Sequence, residues 1–150
     1  VHYPQSYKML VIMICCSALL APLLGDERSP DEKKAIARSQ HEMLMLLIEK
    51  GEYQRVPEEL QIILDLRFEG KYEKYVTDEI VILSTQLSQK QQYELCHRIL
   101  DMGLGVLQEK ESLARLYKEK GAVYKLTGDS EKALEMFKKS VELTARQKDE

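Results

Sequence analysis

The 150-residue sequence has no Trp and only two Phe, so its aromatic inventory is eight Tyr. Rings that carry a hydroxyl suit helix interfaces with a wet edge better than a large apolar cavity. An excess of one charge is missing too: 22 Lys and Arg stand against 25 Asp and Glu, giving a net charge of -3 and a pI near 5.7. A nucleic-acid phosphate binder needs a concentrated positive stripe, and this balance argues against one. Cysteine is scarce. Cys15 and Cys16 lie inside an apolar run, and Cys96 stands alone, so a chain that has lost that run has no intramolecular disulfide to form.

Strand patterns are absent as well. The Ile-Val-Ile-Leu run at 80–83 belongs to a stripe of Val76, Ile80, Leu83 and Leu87 at i, i+4, i+7 and i+11, which is helical. Catalytic signatures are missing in the same way: there is no Gly-x-Ser-x-Gly elbow, phosphate loop or dinucleotide fingerprint. His41-Glu42-Met43-Leu44-Met45 opens like a zinc-protease helix, but Met45 stands where the second His is required. Cys96 and His97 are neighbours on a helix, hence about 100° apart and unable to act as a nucleophile and its base. Glu58-Glu59 and the Glu-Lys clusters from Glu109 to Lys120 read as solvated faces with i to i+4 pairs. The expectation is a non-enzymatic chain with no catalytic residue, no metal and no cofactor.

What is present falls into two regions, 1–28 and 29–150. Met9 to Leu24 is a run of sixteen residues without a charge, preceded by Lys8 and followed by Gly25-Asp26-Glu27-Arg28. A membrane span needs about twenty apolar residues and a signal-peptide core roughly seven to fifteen. Region 1–28 therefore reads as a signal peptide or membrane anchor, with a buried N-terminal helix as the other option. Gly25 or Ala21 offers a small residue before a cleavage site. Cys15 and Cys16 read as apolar signal residues, because Ile12-Met13-Ile14 lacks the small residues that precede a lipid-modified cysteine.

From Ser29 the chain reads as helices. Ser29-Pro30-Asp31-Glu32 is a capping box with Pro in the first turn. The helix it starts should run to Lys50, burying Ile36, Met43, Leu44, Leu47 and Ile48, and stop at Gly51. Pro57 opens a second helix that carries Leu60, Ile63, Leu64 and Phe68 to a stop at Gly70. A third spans Tyr72 to Leu87 and is broken by Ser88; its partner, Gln89 to Leu107, bears Tyr93, Cys96, Leu100 and Gly103 on one side. Gly103 and Gly105 each cost roughly 1 kcal/mol of helix stability relative to Ala, which suggests either a close helix crossing or a hinge.

The end of the chain is the most informative part. Tyr117, Gly121 and Tyr124 fall at i, i+4 and i+7; Gly128 stops that helix and Asp129 can cap the next, where Ala133, Phe137 and Val141 form a second stripe. Small Gly121 and Ala133 allow a close approach, and Tyr117, Tyr124 and Phe137 fill the space beside it. This pattern resembles a tetratricopeptide repeat over residues 114–147, with Lys120 where a Leu is usual and Ala145 where a Pro is usual. Gly51 to Val56 echoes Gly128 to Ala133, which places Leu44 where Gly121 stands and Leu60 where Phe137 stands. The expected fold is all-α, about three helical hairpins in a solenoid of the tetratricopeptide kind.

The resemblance implies that the first helix of each hairpin lines a concave surface that takes a peptide or partner helix. Beside the packing stripe on that helix of the last repeat lie Arg115, Lys118, Ala122 and Lys125, a basic row that suits an acidic segment or a C-terminal carboxylate. Ala122 stands where the carboxylate-gripping members have Asn. The leading expectation is a protein-interaction scaffold or adaptor, exported, periplasmic or membrane-anchored in a bacterial envelope, touching membrane only through region 1–28 and binding no nucleic acid. The alternative is a cytoplasmic regulatory module or a piece of a larger regulator.

Overall fold

A computed structural model describes residues 28–145; the apolar run with its two cysteines lies outside the described residues. Six α-helices occupy this span: α1 (Pro30–Lys50), α2 (Val56–Asp65), α3 (Glu73–Gln89), α4 (Tyr93–Val106), α5 (Lys110–Leu126) and α6 (Ser130–Ala145). Short 3₁₀ turns, Tyr53–Arg55 and Gly70–Tyr72, lead into α2 and α3. No strand occurs among the described residues, and the fold class is all-α.

Local chemistry sets most of the helix ends. The Ser29 hydroxyl accepts the Glu32 N–H while the Glu32 carboxylate accepts the Ser29 N–H at 2.7 Å, so two orphan donors of the first turn are satisfied at once. Three turns then share one hydrogen-bond pattern. Gly51 N–H donates to the Ile48 carbonyl and Glu52 N–H to that of Leu47; Gly128 and Asp129 repeat this with Lys125 and Tyr124, and Gln91 and Gln92 with Ser88 and Leu87. Each is a Schellman-type cap whose pivot residue is left-handed, at φ 76° for Gly51, 83° for Gly128 and 59° for Gln91. The Asp129 carboxylate then accepts the Lys132 N–H at 3.1 Å and starts α6.

Helices α1 and α2, α3 and α4, α4 and α5, and α5 and α6 pack together in sequence, and beyond these α1 meets α3, α3 meets α5 and α2 meets α4. The core cluster runs from Leu44 on α1 through Leu60, Ile80, Leu83 and Leu100 to Leu116 and Val123 on α5. Gly103 sits inside it. A Cβ there would lie 2.5 Å from Ile80 Cδ1 and 2.8 Å from Leu116 Cδ1, so Gly103 marks a close helix crossing rather than a hinge; nothing approaches Gly105 within 4 Å. Gly121 plays the same part at the α5–α6 contact, where a Cβ would stand 2.8 Å from the Phe137 ring.

Several expectations are corrected. Met43 is 41% exposed and Val141 65% exposed, so neither belongs to a buried stripe. The second helix ends at Asp65, not at Gly70; Phe68 is buried from the loop that follows, in which Arg67 is left-handed at φ 48°. Ser88 does not break α3, which continues to Gln89 because the cap is formed around Gln91, and its partner begins at Tyr93 rather than Gln89.

Candidate functional site

Three depressions lie along the face built by α1, α3 and α5. The first, of about 500 Å³, separates α1 from α3 and is lined by Ala37, His41, Phe68, Tyr75, Glu79 and Ile82 among others. A second, of about 710 Å³, lies where α3 and α5 begin, with Tyr75, Thr77, Ser112 and Arg115 in its wall. The third, of about 740 Å³, is bounded by Val81 of α3, by Arg115, Lys118, Glu119, Ala122, Lys125 and Leu126 of α5, and by Phe137 of α6, so one carboxylate stands among its three cations. Tyr75 belongs to the first two and Arg115 to the last two, so the depressions are neighbours in a row, a trough divided at these two side chains, across the first helix of each hairpin.

All four residues of the basic row therefore line one depression. Their charges are not equivalent. Arg115 is paired with Asp78 of α3, whereas Lys118 and Lys125 are exposed and have no ion pair among the described residues. The adjoining depression adds Lys71, Lys74 and Lys110 against Glu109 and Glu111. Ala133 is buried and Phe137 covers Gly121 while also facing the trough; Tyr117 lies under Lys139, and the Tyr124 ring packs on His97 with centroids 4.0 Å apart.

Two carboxylates in this region carry no sequence signal. Glu73 is buried and accepts the N–H groups of Gln108 at 3.0 Å and Glu109 at 2.8 Å, which fixes the entry to α5. Glu79 receives His41 Nδ1 at 2.9 and 2.8 Å from its two oxygens. Burial pushes the Glu79 carboxyl above its ordinary range, opposed by the hydrogen bond from His41. His41 and Glu79 lie 38 residues apart, so no local pattern announces the pair.

Cys96 and His97 have different surroundings, and the buried His97 Nδ1 has no hydrogen-bond partner. Cys96 is fully buried, its Sγ 3.3 Å from Ser88 Oγ and 3.4 Å from the Ser84 carbonyl, and burial pushes its thiol up and away from the reactive thiolate. His97 is held below the usual histidine range by burial and then by Lys120, and it faces Tyr124 rather than Cys96. No group of three His, Cys, Asp or Glu among the described residues is arranged to hold a metal, and no described helix is long and apolar enough to cross a membrane. No protein-family model, curated protein or solved structure matches the chain.

Proposed function

We propose that region 29–150 is a protein-interaction module of the tetratricopeptide-repeat kind, non-catalytic, whose three hairpins stack as a short solenoid. In this reading α1, α3 and α5 stand side by side and present the trough, while α2 and α4 back them. The ligand is an acidic segment of a partner protein. The observation that carries the reading is the row of neighbouring depressions over three first helices, the last of them lined by Lys118 and Lys125, which have no ion pair among the described residues. Exposed lysines contribute little to folding but can steer and hold an anionic partner. The apolar run at 9–24 exports the module or tethers it to a bacterial envelope membrane.

Selection of a random peptide library on the full chain tests the docking surface. Enriched peptides should be rich in Asp and Glu, lose affinity as salt rises, and lose their acidic bias when Lys118 and Lys125 are both changed to Glu, with helicity and melting unchanged. Enrichment without an acidic bias, or a bias that survives the double reversal, would remove the α5 row as the binding surface. Cell fractionation tests the location: recovery in the cytoplasm alone would refute export.

A further inference from the structure

His97 stands where the last three helices meet. It lies on α4, its ring packs on Tyr124 of α5 with centroids 4.0 Å apart, and Lys132 of α6 reaches over the same Tyr124 ring at 5.4 Å. The imidazole is half-buried, and its Nδ1 is buried without a hydrogen-bond partner. Buried polar atoms are nearly always paired, so an orphan on a titratable ring calls for an explanation.

The charges that act on His97 come from all three helices: Asp101 from α4, Lys120 from α5, and Asp129 and Lys132 from α6 and the turn before it. Both carboxylates are already taken. Asp101 is paired with Lys120, and Asp129 with Lys132 at 2.9 Å. Glu119 of α5 lies toward the neighbouring Cys96, and α3 meets α4 nearby through the uncharged Ser84 and Ile80. The two ion pairs sum to zero, so a proton on His97 adds a cation that nothing balances.

Whichever nitrogen carries the proton of the neutral ring, the imidazolium carries one on each. Protonation therefore puts an N–H at the buried Nδ1, where no acceptor stands, and a positive charge beside Lys120 and Lys132. A stranded donor on a charged ring costs more than a stranded lone pair. Burial, and after it Lys120, accordingly hold His97 below its ordinary value of 6.5.

We propose that His97 is an acid-sensitive latch between α4 and the last hairpin. Neutral, it seats Tyr124; protonated, it leaves its place, and α5 and α6 open locally. The third depression, walled by Val81 of α3, by α5 and by Phe137 of α6, then loses its shape. In the opened hairpin His97 returns to its ordinary range, so the open form takes up the proton more readily. The latch is closed above pH 6.5 and weakens as pH falls through the lowered value of the folded protein. It operates whether or not the trough docks a partner.

Two-dimensional NMR of the full chain, titrated from about pH 8 to about pH 5, tests the latch. The His97 ring should titrate below 6.5, and the Tyr124 ring resonances should move in step with it. Amide exchange, corrected for its own pH dependence, should accelerate in α5 and α6 over the same range while α1 and α2 keep their protection. The expected factor is about fivefold or more, the low end of what a buried donor without an acceptor costs. His97→Phe keeps a ring on Tyr124 and cannot titrate, so it should remove the acid response. The proposal is overturned by a His97 that titrates at or above 6.5, by unchanged exchange in α5 and α6, by equal acceleration in α1 and α2, or by an acid response that survives His97→Phe. The titration and the exchange are read on the unaltered protein, so they decide the matter even if the variant fails to fold.

Discussion

The first and last hairpins turn through the same hydrogen-bonded cap and are held by different means. In the first, Leu44, Leu47 and Ile48 of α1 and Val56, Leu60 and Ile63 of α2 all enter the core cluster. In the last, α6 buries Ala133 and Met136, neither of which belongs to that cluster, and Phe137 is only half-buried over Gly121. Leu134 and Val141 of α6 face solvent, at 57% and 65% exposure. A close crossing over glycine brings two backbones together but removes little apolar surface from water, whereas a branched aliphatic pair buries more at greater separation. The second helix of the last hairpin is thus the element least joined to the core, although its partner α5 adds Leu116 and Val123 to it. Local opening should begin there.

The two buried glycines provide the strongest test of that contrast. Gly103→Leu places a side chain between Ile80 and Leu116 in the middle of the core and should cost about 3 kcal/mol, seen as a lower urea midpoint for the whole protein. At Gly121→Leu the nearest atoms to the new side chain belong to the Phe137 ring, which is only half-buried and can move toward solvent. Its expected cost is smaller, about 1–2 kcal/mol, and amide exchange should accelerate in α6 while α1 to α4 keep their protection. Uniform acceleration throughout would mean that α6 is as integral as α1.

The smallest effect sharpens the likeness of the turns rather than the difference of the contacts. Gln91 adopts the conformation that glycine supplies in the other two. Replacing it with Gly removes a left-handed penalty of about 1–2 kcal/mol. The same change adds about 0.5–1 kcal/mol of unfolded-chain entropy. A net gain of about 0.5 kcal/mol in thermal or urea unfolding is expected. A loss would show that the middle turn is stabilised by its glutamine side chain and is not the equivalent of the outer two.

Features set by neighbours in the chain were legible from the sequence. The Ser29–Glu32 box, the stops at Gly51 and Gly128 and the Asp129 cap are each decided within a few residues. Gln91 was not readable because it is a non-glycine residue that takes the left-handed conformation in a hydrogen-bonded cap, where the sequence carries no glycine to signal it. Periodicity also continues past the true end of α2, since Phe68 keeps the apolar rhythm while lying in a loop. Met43 and Val141 failed for the opposite reason: the rhythm marks a face but not whether anything packs on it. The same limit applies to the candidate site. The row on α5 could be found as a helical face, but Asp78, which takes up the Arg115 charge, comes from 37 residues away, and the His41–Glu79 pair spans a similar distance. Pairings of that range require the topology.

Glu73 makes the hairpins less interchangeable than their common turn suggests. Its carboxylate, at the start of α3, receives the first N–H groups at the mouth of α5, so part of what begins the third hairpin is supplied by the second. A third hairpin grafted into another protein, or moved to the front of this one by circular permutation, would leave its acceptor behind. Any modular redesign must therefore transplant a carboxylate along with the helices, or give α5 an Asp or Ser cap of its own.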